Sequence, residues 1–281
     1  MLLVSQLIVY PIKSLGGIGL QNARVTDRGL EHDRRWMLID ANNRFLSQRE
    51  HAQLALFSII ILDTGLEVTC RSDGAALLIP FVPQTKQMID VSIWDDTCPG
   101  QIVSNEANEW FSKKAGMDCR LVYMPDDVHR QTDSRYTDAD GITSFSDAYP
   151  ALLIGQASLD DLNSRLAEAL PMNRFRPNIV FTGGDPYSED IMNHISINGA
   201  DMYGVKLCAR CVLTTIDQDT ATKGKEPLKT LSQYRRKGAK ILFGQNLMMT
   251  AGGTISVGDE LQVHTTHTEE RFIVGPQITE A

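Results

Sequence analysis

Cys208 and Cys211 form the one paired-thiol motif of the chain, Cys208-Ala209-Arg210-Cys211. A Cys-x-x-Cys is the first half of many zinc sites, whose other half is a second Cys or His pair. The remaining cysteines, Cys70, Cys98 and Cys119, are scattered, and only His264 and His267 come as a histidine pair, a weak match. A thioredoxin-type pair follows a strand and opens a helix, whose N-terminus lowers the thiol pKa. The β-branched run from Val212 to Ile216 predicts the opposite order, with the thiols at the mouth of a strand that follows them. In apolar surroundings two such cysteines would be small buried hydrophobes. Lys206 and Arg210 flank them instead, and nearby cations favour the thiolate, the form that ligates a soft metal.

Arg174-Phe175-Arg176-Pro177-Asn178 is a second chemical cluster. Pro177 restricts Arg176, which predicts an extended backbone presenting a guanidinium and the Asn178 amide just before a buried strand. The fork of an arginine matches phosphate, and an amide supplies a donor and an acceptor for a heterocycle edge. The same triplet also fits a solvated strand entry. Lys13-Ser14 beside Gly16-Gly17 has the same two readings, a phosphate cradle or an ordinary turn, and it lacks the P-loop spacing. From Lys223 to Lys240 seven cations stand against Glu226 alone, which suits an anionic partner or a solvated face equally. Trp36, Trp94 and Trp110 read as core or interface residues. No Gly-x-Ser-x-Gly elbow and no Gly-x-Gly-x-x-Gly fingerprint occurs.

The elements that must position these residues are mostly strands. In the first 120 residues the pattern predicts strands over Val4–Ile12, Gly19–Val25, Trp36–Ile39, Arg44–Leu46, Ala55–Leu62, Leu66–Cys70 and Ala76–Ile79, spaced as in a small barrel or sandwich. A helix should run from Asn105 to just before Gly116, with the glycine at C′. The aspartate-rich stretch from Asp126 to Thr143, including Asp138 and Asp140, lacks periodicity and reads as a linker or mobile loop. Beyond it come strands at Ala151–Ile154, Ile179–Phe181, Ile195–Ile197, Thr254–Asp259 and Leu261–Val263. A helix capped by Ser158, with Leu159, Leu162, Leu166 and Leu170 on one face, should end at Pro171. The expectation is a mainly β (α+β) protein of two domains, residues 1–122 and 123–265, with a tail over 266–281.

The chain has 281 residues, 42% hydrophobic and 22% charged, which excludes a disordered or fibrous protein. Its formal net charge of −8 argues against general nucleic-acid binding. The longest apolar run is far below the ~20 residues of a membrane span, and the opening MLLVSQLIVYPIKSLGG alternates like a strand and lacks the basic start of a signal peptide. With an odd number of mostly isolated cysteines, these features predict a cytoplasmic protein without a membrane partner.

Taken together, Tyr10-Pro11-Ile12-Lys13-Ser14, Asp33-Arg34-Arg35-Trp36, Asp147-Ala148-Tyr149-Pro150, Asn173 to Asn178 and Cys208 to Asp217, in this order, resemble the landmarks of MOSC-domain proteins (molybdenum cofactor sulfurase C-terminal). The resemblance runs from about Leu3 to about Val263. It includes Lys225-Glu226-Pro227-Leu228, Leu242 to Asn246 and Gly253 to Asp259. More narrowly the chain is similar to the group containing the mitochondrial amidoxime-reducing component and its bacterial relatives. The resemblance implies an N-terminal MOSC-associated β-barrel-like domain followed by a MOSC β-barrel domain.

The resemblance also implies a molybdenum cofactor, Mo-molybdopterin, with Cys211 as the protein thiolate on the metal, and chemistry independent of pyridoxal phosphate. Lys13, Ser14, Arg34, Arg176, Asn178 and Arg210 would surround the pterin and its phosphate, with Asp147 and Tyr149 on a catalytic loop lining the pocket. Relatives in mammals carry small hydroxyl residues where this chain has Ala148 and Tyr149. The implied activity is reduction of small N-hydroxylated compounds such as amidoximes, N-hydroxylated bases and hydroxylamines. The implied alternatives are a sulfur carrier or cofactor-delivery protein using a Cys211 persulfide, and a noncatalytic cofactor-binding module. No cysteine follows Cys211, so an appended iron–sulfur cluster is not expected. Electrons would then come from a separate ferredoxin, flavodoxin or reductase, docked on the Lys223 to Lys240 stretch.

Overall fold

The computed structural model describes residues 1–133 and 141–268. The centre of the expected linker, with Asp138 and Asp140, and the expected tail beyond residue 268 lie outside the described residues.

Seven strands close into a barrel. Around it run Ala151–Gly155, Ile179–Thr182, Leu2–Val9, Glu260–Thr266, Met192–Ile197, Ala200–Ala209 and Lys240–Met249, and the last pairs back with the first. One neighbouring pair is parallel, Ala151–Gly155 with Ile179–Thr182, and such a pair needs a crossover. The helix Gln156–Ser164 lies on that connection. Alternation aims Val4, Leu7, Ile179, Phe181, Ile195, Ile197, Met202 and Leu247 into one buried core, leaving their strand neighbours outside.

The opening strand therefore belongs to the barrel, although the chain then leaves it for more than 100 residues. That excursion forms a five-stranded sheet in the order Met88–Ile93, Asp96–Ile102, Arg120–Tyr123, Trp36–Ile39, Ile12–Lys13. A meander of Phe57–Leu62, Gly65–Cys70 and Ala75–Pro80 packs with it around Trp36, Phe57, Leu66, Val68 and Phe111. The helix Asn105–Ala115 matches its expected limits: Ser104 Oγ accepts from Ala107 N at 3.0 Å, and Gly116 closes it at φ +70°.

Three expectations need correction. Ser158 does not cap its helix, which begins at Gln156 behind Gly155. Its hydroxyl is buried and serves tertiary contacts, donating to Glu189 Oε2 at 2.8 Å and accepting from Tyr187 N at 2.7 Å. The helix ends at Ser164 and not at Pro171. The Asn163 amide turns the chain back by pairing with both the N–H and the carbonyl of Leu170, so Leu170 leaves the helical face. At the described ends of the Asp126 to Thr143 stretch the chain is no mobile loop, because Arg130–Gln131 pairs with Ile142–Thr143 and the buried Arg130 binds Asp96 and the carbonyls of Ser144 and Ser146. Among the described residues no helix is long and apolar enough to cross a membrane.

Candidate active site

A cavity of about 280 Å³ lies between the barrel and the N-terminal sheets. Each wall arrives at the end of a strand. Lys13 ends, and Ser14 follows, the short strand that pairs with Trp36–Ile39, Arg176 and Asn178 precede Ile179–Thr182, and Cys208 to Cys211 lie at and just beyond the end of Ala200–Ala209. Among the described residues seven cations line it, Lys13, Arg34, Arg49, Arg176, Lys206, Arg210 and Lys240, against one carboxylate, Asp147. In a chain of net charge −8 that concentration makes an anion site.

The backbone is strained at the same place. Ser14, Arg34 and Arg176 sit at φ +70°, +50° and +55°, in a region that residues with a Cβ rarely occupy. Arg176 is therefore left-handed and not extended as expected: Pro177 disfavours the right-handed helical region but leaves this alternative open. The Arg34 and Arg176 guanidiniums lie 4.5 and 4.1 Å from the Tyr10 ring centroid. Gly17 allows that ring to sit there, since a Cβ at residue 17 would collide with it. Burial pushes the Tyr10 phenol up to about 12 against the pull of Arg176 and Arg34, so it stays neutral.

Asn178 lines the cavity, yet its amide holds protein groups. Oδ1 accepts from Arg34 Nη1 at 2.8 Å and Leu152 N at 3.2 Å, and Nδ2 donates to Ile8 O at 3.1 Å. Arg34 also pairs with the buried Asp33, and Arg176 Nη1 donates to Leu15 O at 2.8 Å. Asn178 thus stitches the opening strand, the Leu152 strand and Arg34 together.

At the thiols the expected order is reversed. The strand precedes them, and Val212–Thr215 after them is a 3-10 turn. The Thr214 and Thr215 hydroxyls donate to Cys211 O and Val212 O, local bonds that override the β-branched preference. Arg210 pairs with Cys208, its Nη1 lying 3.0 Å from that sulfur. The cation on Cys211 is Arg49, whose Nε donates to Sγ at 3.1 Å. The Arg210 Nε is buried with no protein partner. His264 and His267 take no part: His264 bonds Ser196, and His267 bonds the Gly204 carbonyl.

Asp147 holds the rim together. Its carboxylate accepts from Lys13 Nζ at 2.5 Å, Arg49 Nη2 at 3.2 Å and Trp94 Nε1 at 3.3 Å. Desolvation works to raise its pKa, but Lys13 and Arg49 outweigh it and hold the carboxyl well below the usual range. It is an anchor and not a proton donor near neutral pH. Burial pushes the Lys13 ammonium down to about 8, with Asp147 pulling it upward. Tyr149 is buried in the wall, packed with Val205 and Met248. Trp94 belongs to the rim and not to the core: it is 45% exposed and lies under the Arg49 guanidinium at 4.1 Å.

Residues 1–118 match the MOSC N-terminal beta barrel domain and residues 140–262 the MOSC domain. The mouse mitochondrial amidoxime-reducing component 1 is 34% identical over 274 residues, spanning 91% of this chain and 80% of that protein. The chain belongs to the MOSC-domain proteins of the amidoxime-reducing component group. The human component 1 is 32% identical over 91% of this chain and 81% of that protein. The rice molybdenum cofactor sulfurase is 33% identical over 86% of this chain but 32% of its own length.

In this MOSC protein the cavity suits the anionic, soft-metal cofactor that the family's name associates with it. Two thiols, Cys208 and Cys211, seven cations and the orphaned Arg210 Nε supply what such a group needs. All nine residues singled out from the sequence, Lys13, Ser14, Arg34, Asp147, Tyr149, Arg176, Asn178, Arg210 and Cys211, line that one cavity. Arg49 and Trp94 were not anticipated, because between Gln48 and Glu50 an arginine looks like any solvated turn residue and Trp94 like a core aromatic.

Proposed function

We propose that the chain is a molybdenum-cofactor-dependent reductase of N-hydroxylated compounds. One observation carries the reading: a cysteine thiol held by an arginine inside a cavity whose one acid among the described residues is already ion-paired. The names of the amidoxime-reducing relatives support the substrate class. Cleaving an N–O bond to amine and water consumes two electrons and two protons. When bound, the cofactor would supply the two-electron redox chemistry. Cys211 Sγ would ligate the metal, with Arg49 Nε donating to it at 3.1 Å. Arg176, Arg210 and Lys206 would hold the phosphate end, with Arg34 adding charge from a position fixed by Asn178. Lys13 Nζ, buried and with a pKa of about 8, can hold a proton for the departing oxygen, and ionised Asp147 orients it.

Electrons would arrive from a separate protein, a ferredoxin, a flavodoxin or a reductase. Arg235 is withdrawn from the expected docking face, since it pairs with Asp190 at 2.6 Å, whereas Lys225, Lys229 and Arg236 are exposed. Lys223 Nζ reaches Arg49 O at 3.2 Å, which puts this segment against the site rim. The five free thiols fit a reducing compartment such as the cytoplasm.

The second reading, sulfur transfer through a Cys211 persulfide, draws on the sulfurase relative and on the accessible thiol. Metal analysis with dithionite-driven reduction of N-hydroxyadenine separates the two. The first reading expects molybdenum and turnover, both lost in Cys211→Ser and largely kept in Cys208→Ser. Persulfide on Cys211 without molybdenum or turnover would establish the second instead.

A further inference from the structure

On the outer wall of the barrel, away from the residues of the cavity, three neighbouring strands bring His194, Asp201 and His264 together. The hairpin register sets Ser196 opposite Asp201 and His194 opposite Tyr203, and the Glu260–Thr266 strand pairs along the other edge of Met192–Ile197. Ile195 and Ile197 point into the core, so His194 and Ser196 point out. One ligand-type atom from each of His194, Asp201 and His264 falls within 4.8 Å of the others.

From this geometry we infer a second, independent metal site: a divalent first-row ion of the zinc type, bound by two imidazole nitrogens and one carboxylate oxygen. The two imidazole rings stand 4.6 Å apart between centroids, and His194 also stacks on Tyr203 at 4.9 Å, so the two rings are already neighbours before an ion arrives. Their present partners are exchangeable. His194 Nε2 meets Asp201 Oδ1 at 2.7 Å, and His264 Nε2 meets the Ser196 hydroxyl at 2.7 Å. A tetrahedral zinc with bonds of about 2.0–2.1 Å spaces its ligand atoms by about 3.4 Å. The present set spans that value, from 2.7 Å to at most 4.8 Å, and half-exposed side chains can close on it by rotation. Two imidazoles exclude magnesium and calcium, which prefer oxygen, and leave a coordination position for water. The bound ion would clamp the Glu260–Thr266 strand to the Met192–Ala209 hairpin. None of this depends on the reading of the cavity.

Cobalt titration of the purified full chain tests the site, because a thiolate–cobalt band in the near ultraviolet reports any ion on Cys208 or Cys211. The expected result is one equivalent bound with visible d–d absorption and no thiolate band, unchanged in Cys211→Ser. His264→Ala, at an exposed position, and Asp201→Asn, at a half-buried one, should each weaken it at least about tenfold. Zinc should raise the melting temperature of the parent chain and not of His264→Ala. No binding, or binding only with a thiolate band that His264→Ala leaves intact, overturns the proposal.

Discussion

Lys13 offers the sharpest test of the cavity as an anion site. A buried ammonium with a pKa of about 8 carries its charge below that value and loses it as pH rises through it. It is about nine-tenths protonated at pH 7 and about one-tenth at pH 9, whereas an ordinary lysine near 10.4 stays charged over the whole interval. If the charged form alone binds an anion, affinity falls about tenfold between those pH values, roughly 1.4 kcal/mol. Asp147, held far below this window, stays ionised throughout, and Arg176, which burial lowers only to about 10, stays mostly charged up to pH 9, so of these three groups Lys13 changes most. Sulfate is a suitable probe because its own charge is constant here. Its dissociation constant should be measured by calorimetry from pH 7 to 9 on the parent chain, Lys13→Met and Lys13→Arg. The parent should show the slope, Lys13→Met weaker and flat binding, and Lys13→Arg tight and flat binding. An equal slope in all three would refute the reasoning.

Arg49→Ala should slow iodoacetamide alkylation of Cys211 about tenfold at neutral pH and leave Cys208 unchanged, since the lost charge-assisted bond is worth about 1.5–3 kcal/mol; equal slowing of both thiols would contradict it. Burial raises the Glu189 carboxyl from 4.5 to about 7, so its stabilising protonated form is complete below pH 4.5 and lost as pH climbs through 7. Glu189→Gln should therefore raise stability at pH 8 by up to about 3 kcal/mol and flatten the melting temperature between pH 5 and 7; a Gln variant that melts lower at pH 8 would show that the carboxylate is satisfied there. Turnover driven by a protein donor should fall with ionic strength and in Lys225→Glu with Arg236→Glu, while dithionite-driven turnover stays constant. Loss of both would place those residues in folding and not in docking.

The chemistry was legible from residue types taken together. Cys211, Lys13 and Arg176 each had a bland reading beside the chemical one, and it was their occurrence together, in order along the chain, that pointed to one site. Their backbone shapes were not legible. The left-handed Arg176 and the 3-10 turn after Cys211 are decided by the Tyr10 ring and by two threonine hydroxyls. Arg49 and Trp94 reach the site from a turn and a hairpin end, and no local spacing encodes their meeting with Asp147. Ser158 misled for a related reason: its hydroxyl answers Glu189 and Tyr187, partners more than 25 positions away.

The placement of Leu2–Val9 in the barrel has a consequence for biosynthesis. This strand leaves the ribosome long before its barrel neighbours Ile179–Thr182 and Glu260–Thr266. Between Val9 and Thr182 lie ~170 residues, on the order of ten to thirty seconds of translation at about 5–20 residues per second. Throughout that interval Val4, Leu7 and Val9 have no barrel to enter, while the intervening sheets can collapse around Trp36 and Phe57. Until then the strand has only the nearby Ile18–Leu20 to pair with, through Leu7 to Val9, and its other barrel edges stay open. The Asn178 stitch to Ile8, and with it the anchoring of Arg34, can form only when synthesis is well past the midpoint.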